Sequence, residues 1–83
     1  MDAVASNLAQ YIIDELLYAD PIDQLAPDEE LLASGMLDSM ATAQLMVHIE
    51  SEFTIKLSPT DLTFENFNTI SALTAMVGRY QQS

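Results

Sequence analysis

The stretch Gly35-Met36-Leu37-Asp38-Ser39-Met40-Ala41-Thr42-Ala43-Gln44-Leu45-Met46-Val47-His48-Ile49-Glu50-Ser51-Glu52-Phe53 lies mid-chain, and its pattern changes at Ser39. From there Thr42, Leu45, Met46, Ile49 and Phe53 recur at the spacing of one helix face, which predicts a helix over residues 39–53 with those five side chains in a core. Met40, Ala43, Gln44 and Val47 fall toward the other side and carry more apolar surface than a helix facing only water requires. They read as a docking surface for a partner, beside the plainer reading that Met40 and Val47 cover bundle edges. Ser39 stands at the predicted helix start, where unpaired N–H groups and the positive end of the helix dipole favour a phosphate ester. Asp and Ser are also common N-caps. Ala41 and Thr42 hold the places where Glu or Gln would complete a capping box, so capping explains the Asp38-Ser39 pair only in part.

Upstream, Val4, Leu8, Ile12 and Leu16 fall at intervals of four, with Ala5, Ala9, Ile13 and Leu17 widening the stripe, which predicts an amphipathic helix over residues 3–18. Asp14 and Glu15 lie at the wrong end of it for the dipole and read as solvated charges. Residues 19–38 are interrupted by Pro21 and Pro27, and Leu25, Leu31, Leu32 and Leu37 recur there without a sustained period. So long a connection in a small domain is expected to be pinned, here by those leucines. A short helical turn is predicted over residues 28–33 behind Pro27, with Gly35 ending it at positive φ.

Downstream, residues 54–57 read as an extended connector with Ile55 and Leu57 partly buried. Ser58-Pro59 reads as an N-cap with a first-turn proline opening a short helix over residues 59–62. Phe64 and Phe67 are expected to plug the bundle, or else to line a groove. Asn68-Thr69 starts the last helix, where Ile70, Leu73, Val77 and Tyr80 form a buried stripe and Gly78 weakens the final turn. The expectation is an all-α fold of three longer helices and one short helix.

Composition narrows the chemistry. Thirteen acids against Lys56 and Arg79 give a formal net charge of −11, which repels nucleic acid and anionic membranes and favours docking on basic protein surfaces. Self-repulsion also destabilises the compact state, so the melting temperature is expected to rise with moderate salt. Without Cys, and with His48 as the single histidine, there is no disulfide, cysteine metal site or His relay, and any thiol chemistry needs an imported thiol. Asp20, Asp23, Asp28, Glu29 and Glu30 lack the spacing of an EF-hand loop, so no metal site is expected. His48 lies nine positions beyond Ser39, about 13 Å along a straight helix, too far to activate its hydroxyl. With no Gly-rich phosphate loop either, no catalytic residue is assigned and the chain is not expected to be an enzyme. No window approaches the ~20 apolar residues of a membrane span and no signal peptide is evident. The expectation is one free-standing domain over residues 1–83, monomeric and cytoplasmic.

Leu37-Asp38-Ser39-Met40, followed by a helix ending Ile49-Glu50-Ser51-Glu52-Phe53, resembles the Asp-Ser-Leu/Met/Phe signature and second helix of the acyl carrier protein superfamily, and the likeness covers nearly the whole chain. The resemblance implies an acyl-carrier-like four-helix bundle in which a phosphopantetheinyl transferase esterifies Ser39 with 4′-phosphopantetheine. It implies that Leu37, Asp38 and Met40 help present Ser39, and that Met40, Ala43, Gln44, Val47 and Glu50 meet partner enzymes. Those partners would be an acyl- or amino-acid-activating ligase (an adenylation enzyme) and a downstream acyl-transferring or condensing enzyme. Ala41, Gln44 and Ser51 stand where fatty-acid-synthesis carriers bear carboxylates, and in this the chain is similar to peptidyl and D-alanyl carrier proteins. The implied role is a discrete carrier of an acyl, aminoacyl or peptidyl thioester. The competing reading is an unmodified helical interaction module in which Ser39 is only a cap.

Overall fold

A computed structural model describes residues 3–16 and 25–81. The described residues are helical, without a strand, in the order α1 (Ala3–Tyr11), α2 (Ser39–Phe53), α3 (Phe64–Phe67) and α4 (Ile70–Gln81). Helix α1 runs on into a π-helical segment, Ile12–Leu16. Apolar residues spaced by four outrun the 3.6 residues of an α-turn, and a wider turn takes up that excess. Leu8 and Ile12 are fully buried, while Val4, Ala5, Ala9 and Leu16 pack around them. The predicted end of this helix, residues 17 and 18, lies outside the described residues, as do Asp20, Pro21 and Asp23.

The core is one cluster drawn from all four α-helices, the π-helical segment and the connections: Leu8, Ile12, Leu31, Leu37, Leu45, Ile49, Leu57, Phe67, Ile70, Leu73, Met76 and Val77. Helix α1 packs on α4, and α3 packs on α4. Removing a Leu-sized side chain from water is worth about 1.5–3 kcal/mol, so the twelve residues supply much of what opposes chain entropy. The leucines of the long connection pin it as expected: Leu31 and Leu37 are buried, and Leu25 and Leu32 pack against the cluster.

The backbone of that connection also finds partners. Leu31 N–H donates to the Asn68 carbonyl at 2.6 Å, and Ser71 N–H donates to the Pro27 carbonyl at 3.0 Å. The Asn68 side-chain oxygen accepts from Leu32 and Ala33 N–H, both at 3.0 Å. The predicted helical turn over 28–33 is instead a pair of turns at 27–28 and 31–35, because these donors bond across to the α3–α4 junction rather than within a helix. Gly35 takes φ +82° there, as the sequence requires, and reverses the chain toward α2.

The C-terminal half departs from expectation in two places. The segment Pro59–Asp61 is a 3₁₀ turn capped by Ser58, and the short α-helix lies further on, at Phe64–Phe67, capped by the Thr63 hydroxyl. Phe67 plugs the core at 3 % exposure, but Phe64 is 53 % exposed. Neighbours three apart on one turn share a side, yet so short a helix buries only the side that meets α4. The final helix holds through Gly78 to Gln81, and its buried stripe is Ile70, Leu73, Met76 and Val77. Tyr80 is only half-buried, because its hydroxyl reaches out to Ser58 and Asp61. The Thr69 hydroxyl accepts from Ala72 N–H at 3.0 Å.

Candidate functional site

Ser39 is exposed at the first position of α2, and the capping duty falls on its neighbour. The Asp38 carboxylate accepts from Ala41 N–H at 2.8 Å, and the Asp38 carbonyl accepts from both Thr42 N–H (2.9 Å) and the Thr42 hydroxyl (2.8 Å). This corrects the reading of Ser39 as a cap: Asp38 caps the helix, and Ser39 stays exposed beside it. Leu37, expected to help present Ser39, lies inside the fold. It is buried at 3 % exposure, and its N–H donates to the Leu31 carbonyl at 3.0 Å, so it anchors the strand of chain that enters α2.

Beyond Ser39 the outer side of α2 and α1 enclose a groove of about 740 Å³ lined by Tyr11, Glu15, Met40, Ala43, Gln44, Val47, His48 and Ser51. A smaller recess of about 180 Å³ carries it past Gln44 to Asp38. Met40 is 71 % exposed and Val47 65 %, the two most exposed large apolar side chains among the described residues. Glu15 and Asp38 are the charged members, and neither Lys56 nor Arg79 lines either space. The four groove residues expected from sequence on this side of α2 thus share one surface.

Glu50, placed with them by resemblance, does not line that groove. Its carboxylate accepts from Leu57 N–H at 2.8 Å and holds the connector after α2. His48 is half-buried. Its ring stacks on Tyr11 (centroids 3.8 Å apart, 10° between planes), and its Nε2 meets Asn7 Oδ1 at 2.9 Å. Asn7 in turn donates to Glu52 at 3.1 Å, and the Tyr11 hydroxyl donates to the Gln44 carbonyl at 3.4 Å. This polar seam between α1 and α2 was missed from sequence, since its partners lie 33 to 45 residues apart and no local pattern couples them.

On the opposite side of α2, Leu32, Thr42, Met46, Leu62, Thr63, Phe64 and Phe67 line an apolar cleft of about 280 Å³. Farther off, the Tyr80 hydroxyl accepts from Ser58 N–H at 2.7 Å and donates to Asp61, whose carboxylate also faces Arg79 at 3.5 Å. The bond to Asp61 holds the Tyr80 phenol above its ordinary pKa. No cluster of side chains able to hold a metal occurs among the described residues, and no helix among them is long and apolar enough to cross a membrane.

An exposed hydroxyl on a capped helix start, flanked by an apolar groove, is what a phosphate-linked arm needs. The helix dipole and a nearby surface carboxylate act on such a phosphate with opposite sign and similar size, each up to about 1 kcal/mol. The bond from Ala41 N–H engages the Asp38 charge, so the balance does not exclude the ester. Residues 7–77 match the family described as the phosphopantetheine attachment site, and the chain belongs to it. It is a carrier protein of the acyl carrier superfamily, and its cofactor is covalently attached 4′-phosphopantetheine.

Among its relatives, the D-alanyl carrier protein of Streptococcus thermophilus is 39 % identical over 62 residues, which are 75 % of this chain and 76 % of that protein. A chain in the crystal structure of Bradyrhizobium japonicum glycine:[carrier protein] ligase complexed with cognate carrier protein and an analogue of glycyl adenylate superposes with a TM-score of 0.79. It is 26 % identical and covers 94 % of this chain and 99 % of that one. A chain in the corresponding complex with glycylated carrier protein gives a TM-score of 0.76 at 25 % identity, covering 90 % and 99 %.

Proposed function

We propose that Ser39 is the attachment residue, and that the chain carries an aminoacyl group for a partner ligase without catalysing a step itself. The observation behind this is the division of labour at the start of α2: Asp38 caps, and Ser39 stays exposed. When bound, the arm supplies the thiol that this cysteine-free chain lacks, and a thioester keeps a cargo carbonyl open to nucleophiles. The chain's own residues hold and present it. Leu37 fixes the approach from within the core, Asp38 fixes the helix start, and Met40, Ala43, Gln44 and Val47 offer the surface a visiting enzyme meets.

Aminoacyl cargo rests on two relatives, one a D-alanyl carrier and the other found with a glycine ligase. It also rests on an α2 with Ala41, Gln44 and Ser51 in place of carboxylates, so that apolar fit rather than charge density selects the partner. The partners are a phosphopantetheinyl transferase, an amino-acid-activating ligase and a downstream acyl-transferring enzyme. Intact-protein mass spectrometry tests the assignment. Incubated with coenzyme A and a broad-specificity transferase, the wild-type chain gains one phosphopantetheinyl group and Ser39→Ala gains none. A gain on Ser39→Ala, or none on the wild type with several competent transferases, would falsify it.

A further inference from the structure

We propose that Met40 is a peroxide-reactive modification site, and that its oxidation to the sulfoxide lowers the chain's engagement by partner enzymes. The inference rests on the carrier reading and extends it to regulation. Of the methionines described, Met40 is 71 % exposed, Met36 and Met46 are partly buried in packing against the core, and Met76 is fully buried. Thioether oxidation follows access, so the fold ranks these sulfurs with Met40 first. Met40 directly follows Ser39 and shares its groove with Val47, so the most exposed methionine among the described residues is also the apolar edge nearest the proposed attachment point.

The chemistry needs only hydrogen peroxide. One peroxide oxygen transfers to the sulfur as the O–O bond breaks and the S–O bond forms, and the other oxygen leaves as water. Sulfur loses two electrons and peroxide gains two. The product replaces a flexible apolar tip with a polar, chiral one, and a surface that had matched an apolar partner must now desolvate an oxygen. The core is spared, because Met76 is shielded by the whole cluster around it. Methionine sulfoxide reductases reverse the change, one enzyme for each epimer.

The full-length chain is treated with graded hydrogen peroxide, cleared with catalase, mapped by peptide mass spectrometry, and then loaded by a transferase and coenzyme A. Met40 is expected to gain an oxygen before Met36, Met46 or Met76, with Met1 scored separately. The treated chain is expected to lose about fivefold or more in kcat/KM for loading, mainly through KM, the size of one lost contact in an interface. Both reductases together are expected to restore it. Met40→Leu, whatever its starting rate, is expected to load equally before and after peroxide. Oxidation of Met76 ahead of Met40, an equal drop in Met40→Leu, or unchanged loading of chain oxidised at Met40 would each overturn the proposal. An untreated wild type that never loads is a failure of the carrier reading and is visible before any peroxide is added.

Discussion

The two ends of α2 are built to opposite purposes. At its C-terminal end the chain is held in place: Thr54 turns it at φ 54°, and Glu50 receives Leu57 N–H. Further along, Ser58, Asp61, Arg79 and Tyr80 tie the following turn to α4. At the N-terminal end one carboxylate and one buried leucine do the holding, and the residue between them and the groove, Ser39, is left exposed. The contrast teaches that stability and availability are separated along fifteen residues of one helix. Substitutions at the two ends should therefore fail in different ways.

The largest expected effect is on loading alone. Ser39→Ala should abolish arm attachment while moving stability by no more than about 0.5 kcal/mol, as surface changes do; a matching collapse of the melting transition would mean that Ser39 is structural. Next comes the helix interior. Leu45→Ala removes a fully buried side chain and should cost about 2–5 kcal/mol by urea titration, with loading retained in whatever fraction stays folded. A cost well below that range would show that the core around α2 is loosely packed.

Asp38→Ala joins the two behaviours. Losing the cap should cost about 1 kcal/mol, lowering the melting temperature by roughly 4–8 °C for a domain this size, and loading should slow as the helix start frays. Asp38→Asn, which still caps, should recover the stability. The smallest effect belongs to the far end. The Tyr80 pKa is raised in the folded chain, so the stability it lends is complete below the ordinary value of 10.0 and is lost as pH climbs through the folded one. The difference in melting temperature between wild type and Tyr80→Phe should accordingly narrow above pH 10. A constant difference would assign the role of Tyr80 to packing.

What the sequence discloses follows the range of the interactions. The bounds of helix α2 were legible, because four apolar side chains and Thr42 at helical spacing and an Asp-Ser start are local signals, although of those five only Leu45 and Ile49 are fully buried. The buried leucines of the long connection were legible as well, although the way their backbone bonds to Asn68 was not. As a core plug Phe64 was misplaced, since nothing local distinguishes it from Phe67 and only the position of α4 does; it lines a cleft with Phe67, the alternative the sequence left open. Glu50 looked like a surface acid and turned out to be a bracket for Leu57 N–H, and the Tyr11–His48 stack exists only once α1 and α2 are side by side. Of the groove beside Ser39, Met40, Ala43, Gln44 and Val47 were readable, whereas His48, Ser51 and the wall contributed by Tyr11 and Glu15 were not.

Because Asp38 rather than Ser39 closes the start of α2, appending a group to the serine oxygen breaks no hydrogen bond on which the helix depends. The bare and the decorated protein can then keep one and the same silhouette. An enzyme that must choose between them has to read the appendage, not the body that bears it.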